Sequence, residues 1–277
     1  MSGFSAELFP VLFSVPSVTT GLAEMIGEID VDALCGEYCQ LRKAVPNRSA
    51  CSKRYFVEHH GRPKAKNPGC ASEKHLAIAL WRLRTRWPRV GNGSMRLLDY
   101  EFPLKASNLD RGLGKVDLLG VTDRSRLVII ELKVCRKDGS RGDTPLLALT
   151  EGLRYAAVVQ ANLRAIAVEA RERCAIDVSE EPPIVQIMAP EDWWRGWCGM
   201  VGSTRRAAGE WESKFLDLSN ELEDRLGILI ECVSLEGVSL ADVSWKGDGP
   251  RLEETPPMRR ACLKARRASQ GQQHRDG

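Results

Sequence analysis

The sequence predicts an α/β fold in which a mixed central β-sheet is flanked by helices. Three observations carry this. Two apolar runs in "KVDLLGVTDRSRLVIIELKV" (115–134) flank a polar turn and read as a hairpin. Segments with apolar residues at helical spacing stand before and after it. Downstream, helix and strand patterns alternate, so crossovers follow the hairpins and parallel strands join antiparallel ones.

The elements follow in order. Part of 24–44 has helical character, and 45–70 is basic and rich in turn formers. Ser72 stands as an N-cap before Leu76, Ala77, Leu80 and Leu83, which predicts a helix over 72–87 stopped by Pro88. Residues 95–106 read as a strand, and 115–121 and 126–134 as the hairpin over "TDRS". A polar loop (135–143) leads to Thr144-Pro145, an N-cap with proline at the first helical position, and a long helix to about 171. A buried strand (183–190), an amphipathic helix (207–227) ended by Gly227 and a strand (228–237) follow, with 238–245 a further candidate strand. From Gly247 the composition turns to Pro, Gly, Arg and Gln and predicts disorder. The expected organisation is a partly helical N-terminal extension (1–70), a core domain (71–246) and a disordered tail (247–277).

Composition excludes little. At 43% apolar and 28% charged, the 277 residues suit an ordinary globular protein. The net charge of +3 leaves any argument about partners to local clusters. No run approaches the roughly 20 apolar residues of a membrane span, so no membrane association is expected. The first residues lack a basic stretch and contain Glu7, Pro10 and Pro16, unlike a signal peptide. Nine scattered cysteines without a C-x-x-C pair fit reduced thiols in a cytoplasmic protein.

The hairpin raises a question of charge. Burying a charge is costly unless it is paired or coordinated, yet Asp117, Glu131 and Lys133 interrupt the most sheet-like segment. Alternation puts Asp117 with Leu119 and Val121 on one face, and Glu131 and Lys133 with Ile129 on one face. A three-residue loop at 123–125 places Asp117 opposite Glu131, with β-carbons about 4.5–5.5 Å apart. Two carboxylates so close repel, and a hard divalent cation such as Mg²⁺ relieves the repulsion. Lys133 points to the same place, where an ammonium can orient a water or offset phosphate charge. Lys115, Arg136, Lys137 and Arg141 nearby suit an anionic substrate such as nucleic acid.

Asp117 followed by Glu131-Leu132-Lys133 at a strand end resembles the core motif of the PD-(D/E)XK nuclease superfamily, the restriction-endonuclease-like fold. The resemblance covers about residues 72–235. It implies an αβββαβ core and Mg²⁺-dependent phosphodiester hydrolysis, with Mn²⁺ able to substitute, leaving a 5′-phosphate. Asp117, Glu131 and the Leu132 carbonyl would bind metal, and Lys133 would act beside the attacking water. Glu73 matches an acid that many members carry on the first helix. "EGLRY" (151–155) has the spacing of a Gln-Leu-x-x-Tyr motif found in some branches, with Glu151 in place of Gln and Tyr155 in register. Val116 stands where proline is common. The cysteines do not match the iron–sulfur members, so no cluster is expected. The implied substrate is DNA rather than RNA, with a homodimer or a partner protein open.

Other readings stand beside this one. The same fold can serve as a non-catalytic nucleic-acid-binding or protein-interaction module. His59, His60, Asn67 and His75 faintly resemble an HNH nuclease, and Cys35, Cys39, Cys51 and Cys70 lack a standard zinc spacing. "WRLRTRWPR" (81–89) fits either phosphate contacts with Trp87 free to stack, or an amphipathic helix with a wet arginine side. The tryptophans of "APEDWWRGW" (189–197) suit core packing or a partner surface.

Overall fold

The computed structural model describes residues 5–59, 71–89, 93–135, 140–247, 249–261 and 263. Its helices and strands run α1 Pro10–Phe13, α2 Leu22–Gly27, α3 Val31–Ala44, α4 Glu73–Arg82, β1 Arg86–Pro88, β2 Ser94–Pro103, β3 Lys115–Thr122 and β4 Leu127–Leu132. There follow α5 Pro145–Ala161, α6 Leu163–Cys174, β5 Ile184–Pro190, α7 Glu191–Cys198, α8 Gly202–Ala208, α9 Trp211–Leu226 and β6 Ile230–Leu235. Short strands β7 Ser244–Lys246, β8 Gly249–Arg251 and β9 Met258–Arg260 complete the order.

One sheet of order β1-β2-β3-β4-β5-β6-β9 is mixed, as the alternation of patterns requires. Strands β1 to β4 pair antiparallel, β4, β5 and β6 pair parallel, and β9 returns antiparallel on β6. Every residue of β4 and β5 is buried, which suits strands covered on both faces. On one face Leu119, Val121, Ile129, Val185 and Ile187 pack into the cluster that holds α5. On the other, Leu118, Val128, Ile130, Ile184 and Met188 meet Leu76, Ala77 and Leu80 of α4. Helix α5 lies so close to β5 that a β-carbon on Gly152 would fall 2.5 Å from Val185 Cγ1.

The β3–β4 hairpin has the three-residue loop and the register read from the sequence. The Thr122 N–H donates to Arg126 O at 2.9 Å, and Ser125 turns the chain with φ +63°. Pairing then runs Val121 with Leu127 up to Leu118 with Ile130. One step further along this register stand Asp117 and Glu131.

Four expectations change. The helix over 72–87 ends at Arg82, Arg84 takes a left-handed φ of +51°, and Arg86–Pro88 becomes β1 against β2. Trp87 is buried there, so it is not free to stack on a base. The long helix to 171 divides at Asn162, whose side-chain amide donates to Val158 O and Pro46 O and so competes with helical bonding. The proposed strand at 238–245 forms only from Ser244, after a 3₁₀ turn at Leu240–Asp242. Composition marked everything after Gly247 as disordered, yet β8 and β9 form, and β9 covers the outer edge of β6 at Val233–Leu235. Residues 264–277 lie outside the described residues.

Residues of the N-terminal stretch join the main core. Leu12, Leu22, Ile26, Leu34, Tyr38 and Leu41 are buried in the cluster that holds α5 and α9, and the Tyr38 hydroxyl donates to Gln160 Oε1 at 2.8 Å. Trp193, Trp194 and Trp197 are buried and pack with Trp211 and Phe215, which makes them core residues.

Candidate active site

The centre forms where β3 begins and β4 ends. Helix α5 starts beside it with the Thr144 hydroxyl capping the Leu147 N–H, and the first turn of α4 brings Glu73. Glu131 and Lys133 are 4% and 5% exposed. The Leu132 N–H donates to Asp117 Oδ2 at 3.0 Å, which ties the two strands together at this point. Lys133 Nζ donates to Glu131 Oε1 at 2.8 Å and to Glu151 Oε2 at 2.7 Å, and lies 3.5 Å from Asp143 Oδ2. Arg154 Nη2 lies 3.2 Å from Glu151 Oε1.

The charges do not balance. Glu73, Asp117, Glu131, Asp143 and Glu151 are five carboxylates against the two cations Lys133 and Arg154. The acids respond as buried like charges must. Burial, with the charge of Asp117, pushes the Glu73 carboxyl up to about 8. Burial pushes Asp117 up to about 6, against the Leu132 N–H and Lys133. Glu131 is raised well above its ordinary value by burial and by Asp117. Glu151 goes the other way: burial acts to raise it, but Lys133, Glu131 and Arg154 together hold it low. Burial acts to lower Lys133, but Glu131, Glu151 and Glu73 together raise it.

Among the described residues one buried oxygen at the centre, Glu131 Oε2, has no hydrogen-bond partner. An orphaned carboxylate oxygen beside a second carboxylate is a donor set suited to a hard cation. Among the described residues no three Asp, Glu, His or Cys side chains converge as a ready cage. Asp117, Glu131 and a backbone carbonyl are the donors that fit a Mg²⁺ which keeps several of its waters.

The structure gathers Glu73, Asp117, Glu131, Lys133 and Glu151. Tyr155, one turn along α5, closes the floor: its hydroxyl is so near Gly114 that a β-carbon there would lie 2.5 Å away. Lys115 is exposed and pairs with Glu101 at 3.5 Å, beside Lys74 at 2.6 Å. Arg136 and Lys137 lie outside the described residues. Arg141 does not reach the centre but docks its loop on α7, donating to Gly196 O at 2.7 Å and covering the Trp197 ring at 4.6 Å. Sequence reading missed Asp143, Arg154 and Gly114. Arg154 stands three residues after Glu151 on one helix, a spacing that signals a pair. Asp143 precedes an N-cap and carries no comparable signal.

Among the described residues the histidines and cysteines build no rival centre. His59 pairs with Asp99 and stacks on Tyr100 at 3.9 Å, and the His75 ring accepts the Ser72 N–H at 3.0 Å as part of a helix cap. Cys39 and Cys51 are exposed and Cys35 is half-buried, whereas His60, Asn67 and Cys70 lie outside the described residues. Among the described residues no helix is long and apolar enough to cross a membrane. No family model, no curated protein and no solved structure matches the chain.

Proposed function

We propose that this chain is a metal-dependent nuclease with a PD-(D/E)XK-type centre, hydrolysing phosphodiester bonds in DNA. The observation that carries this is the opposition of Asp117 and Glu131 at the sheet end, with Glu131 Oε2 buried and unpartnered among the described residues and Lys133 on the adjoining oxygen. The order α4, β1, β2, β3, β4, α5, α6, β5 contains the succession the αβββαβ core would have, with β1 and α6 added.

The electrostatics support the same reading. A phosphodiester brings further negative charge to a place where carboxylates already outnumber cations, so it can enter only with a counter-cation. Mg²⁺ held by Asp117, Glu131 and the Leu132 carbonyl would supply that charge and lower the pKa of a water. Lys133 then faces the phosphate oxygens and offsets charge that develops on them. Glu131 and Glu151 fix the ammonium in place, and Tyr155 limits the depth of the floor.

The test is cleavage of supercoiled plasmid and of linear single- and double-stranded DNA with Mg²⁺, Mn²⁺ or EDTA. Metal-dependent cutting is expected, lost in Asp117→Ala and Lys133→Ala. Equal cutting by the variants would overturn the assignment. One observation favours a second reading, a binding module without turnover: Lys133 is already engaged by two carboxylates. Such a module would hold DNA in EDTA with a strong salt dependence and would cut nothing.

A further inference from the structure

The basic run 81–89 was not absorbed by the carboxylate centre, and its fold creates a second feature. Arg86 of β1 stands directly opposite Arg96 of β2. Like charges so placed oppose strand pairing. Trp87 and Met95, the neighbours of this pair, point to the buried α4 side, so both guanidiniums point the other way. There they line a groove of about 190 Å³ with Ser94, Thr122, Ser125 and Asp177. Among the described residues neither arginine forms an ion pair.

Two acids also line the groove: Asp177 is paired with Arg171, and Asp123 is held by a backbone N–H and keeps its charge. Asp177 Oδ1 accepts from Arg171 Nε at 2.8 Å and Nη2 at 2.5 Å, and Asp123 Oδ2 accepts the Ser94 N–H at 2.9 Å. Ser94 alternates with Met95 and so shares the face of Arg96, which puts its hydroxyl beside the two arginines. The groove thus holds two forked cations and the Ser94 hydroxyl beside a space large enough for a small oxyanion. It lies at the hairpin end of β3, roughly 15 Å along the strand from Asp117.

We propose that this groove is a phosphoryl-binding site, with Arg86 and Arg96 as its paired ligands. Two guanidiniums on one side of a two-strand ribbon match the planar, bidentate geometry that phosphate oxygens accept. The ligand is a phosphoryl group, borne either by a small molecule or by a nucleic-acid backbone. The site is independent of the nuclease assignment, since it shares no residue with the carboxylate centre.

The experiment is calorimetric titration of the full chain in EDTA with inorganic phosphate, a 5′-mononucleotide and a short duplex DNA. Wild type is compared with Arg86→Gln, Arg96→Gln and Arg164→Gln. The last removes the same charge at an exposed position elsewhere. Each groove variant is expected to weaken binding about tenfold or more, and Arg164→Gln to leave it unchanged. Binding of phosphate and mononucleotide assigns a small ligand, and binding of the duplex alone assigns a backbone phosphate. Arg→Lys at both positions keeps the charge and tests the fork, with a partial loss expected. No binding of any probe by folded wild type, or equal weakening by Arg164→Gln, overturns the proposal.

Discussion

Lys133 Nζ sits between two carboxylates, 2.8 Å from Glu131 Oε1 and 2.7 Å from Glu151 Oε2. One acid comes from the same strand and the other from α5, so a single ammonium joins the end of the sheet to the helix that covers it.

Removing that ammonium leaves Glu131 buried beside Asp117 with no cation. Lys133→Met is therefore expected to cost about 3 kcal/mol or more, the usual result of breaking a buried pair from one side. Urea denaturation of the metal-free protein measures it. A change under about 1 kcal/mol would show that water already screens the cluster.

The opposite holds for the acids that crowd each other. Asp117→Asn, and Glu73→Gln above about pH 8 where Glu73 has lost its proton, each remove a repulsive charge while keeping shape, so each should raise the melting temperature in EDTA. Asp117→Asn should abolish cleavage as it stabilises, the pattern of a group held for function at the expense of stability. A melting temperature lowered by both amides would contradict the charge argument.

The pH dependence follows from Glu73, whose carboxyl rises from 4.5 to about 8 through burial and Asp117. The folded state keeps a proton that the unfolded chain gives up. Its contribution to stability is complete below the ordinary value and lost as pH rises through about 8. In EDTA the melting temperature should fall over that window, less steeply in Glu73→Gln. Mg²⁺ should bind more tightly as pH rises over the same range, since it displaces protons. A metal affinity independent of pH would count against this.

Gly114 and Tyr155 form a tight contact at the floor. Gly114→Ala sets a β-carbon against the Tyr155 hydroxyl, so a loss of roughly 1–3 kcal/mol is expected. Tyr155→Phe in the same chain should restore most of it, because the clash is with the hydroxyl oxygen. Thermal melts of the two single variants and the double variant decide this.

Glu151→Gln replaces the carboxylate with the neutral amide of the motif it resembles. Lys133 then keeps Glu131 and gains freedom toward substrate. Cleavage at or above the wild-type rate is expected. A loss beyond about tenfold would mean that the negative charge of Glu151 is itself required.

Parts of this arrangement were legible in the sequence because they depend on local parity. The loop at 123–125 fixes the hairpin register, and register alone aligns Asp117 with Glu131. Glu73 was picked out by the acid that the resembled motif carries on its first helix. Asp143 and its approach to Lys133 were not, because a loop residue carries no period. Trp87 was misread because Arg84 adopts a left-handed turn that propensity does not reveal, and because β2 offers an edge on which residues 86–88 can pair. Strand β9 was hidden for a similar reason. Its residues Met258–Arg260 are ordinary tail composition, and only the uncovered edge of β6 makes them a strand.

The most direct test of the central claim is anomalous scattering from crystals of the full chain soaked in Mn²⁺. The account expects a single strong peak ligated by Asp117, Glu131 and the Leu132 carbonyl, absent in Asp117→Ala. Well-ordered crystals with no ion at these residues, or with one held only elsewhere, would contradict it.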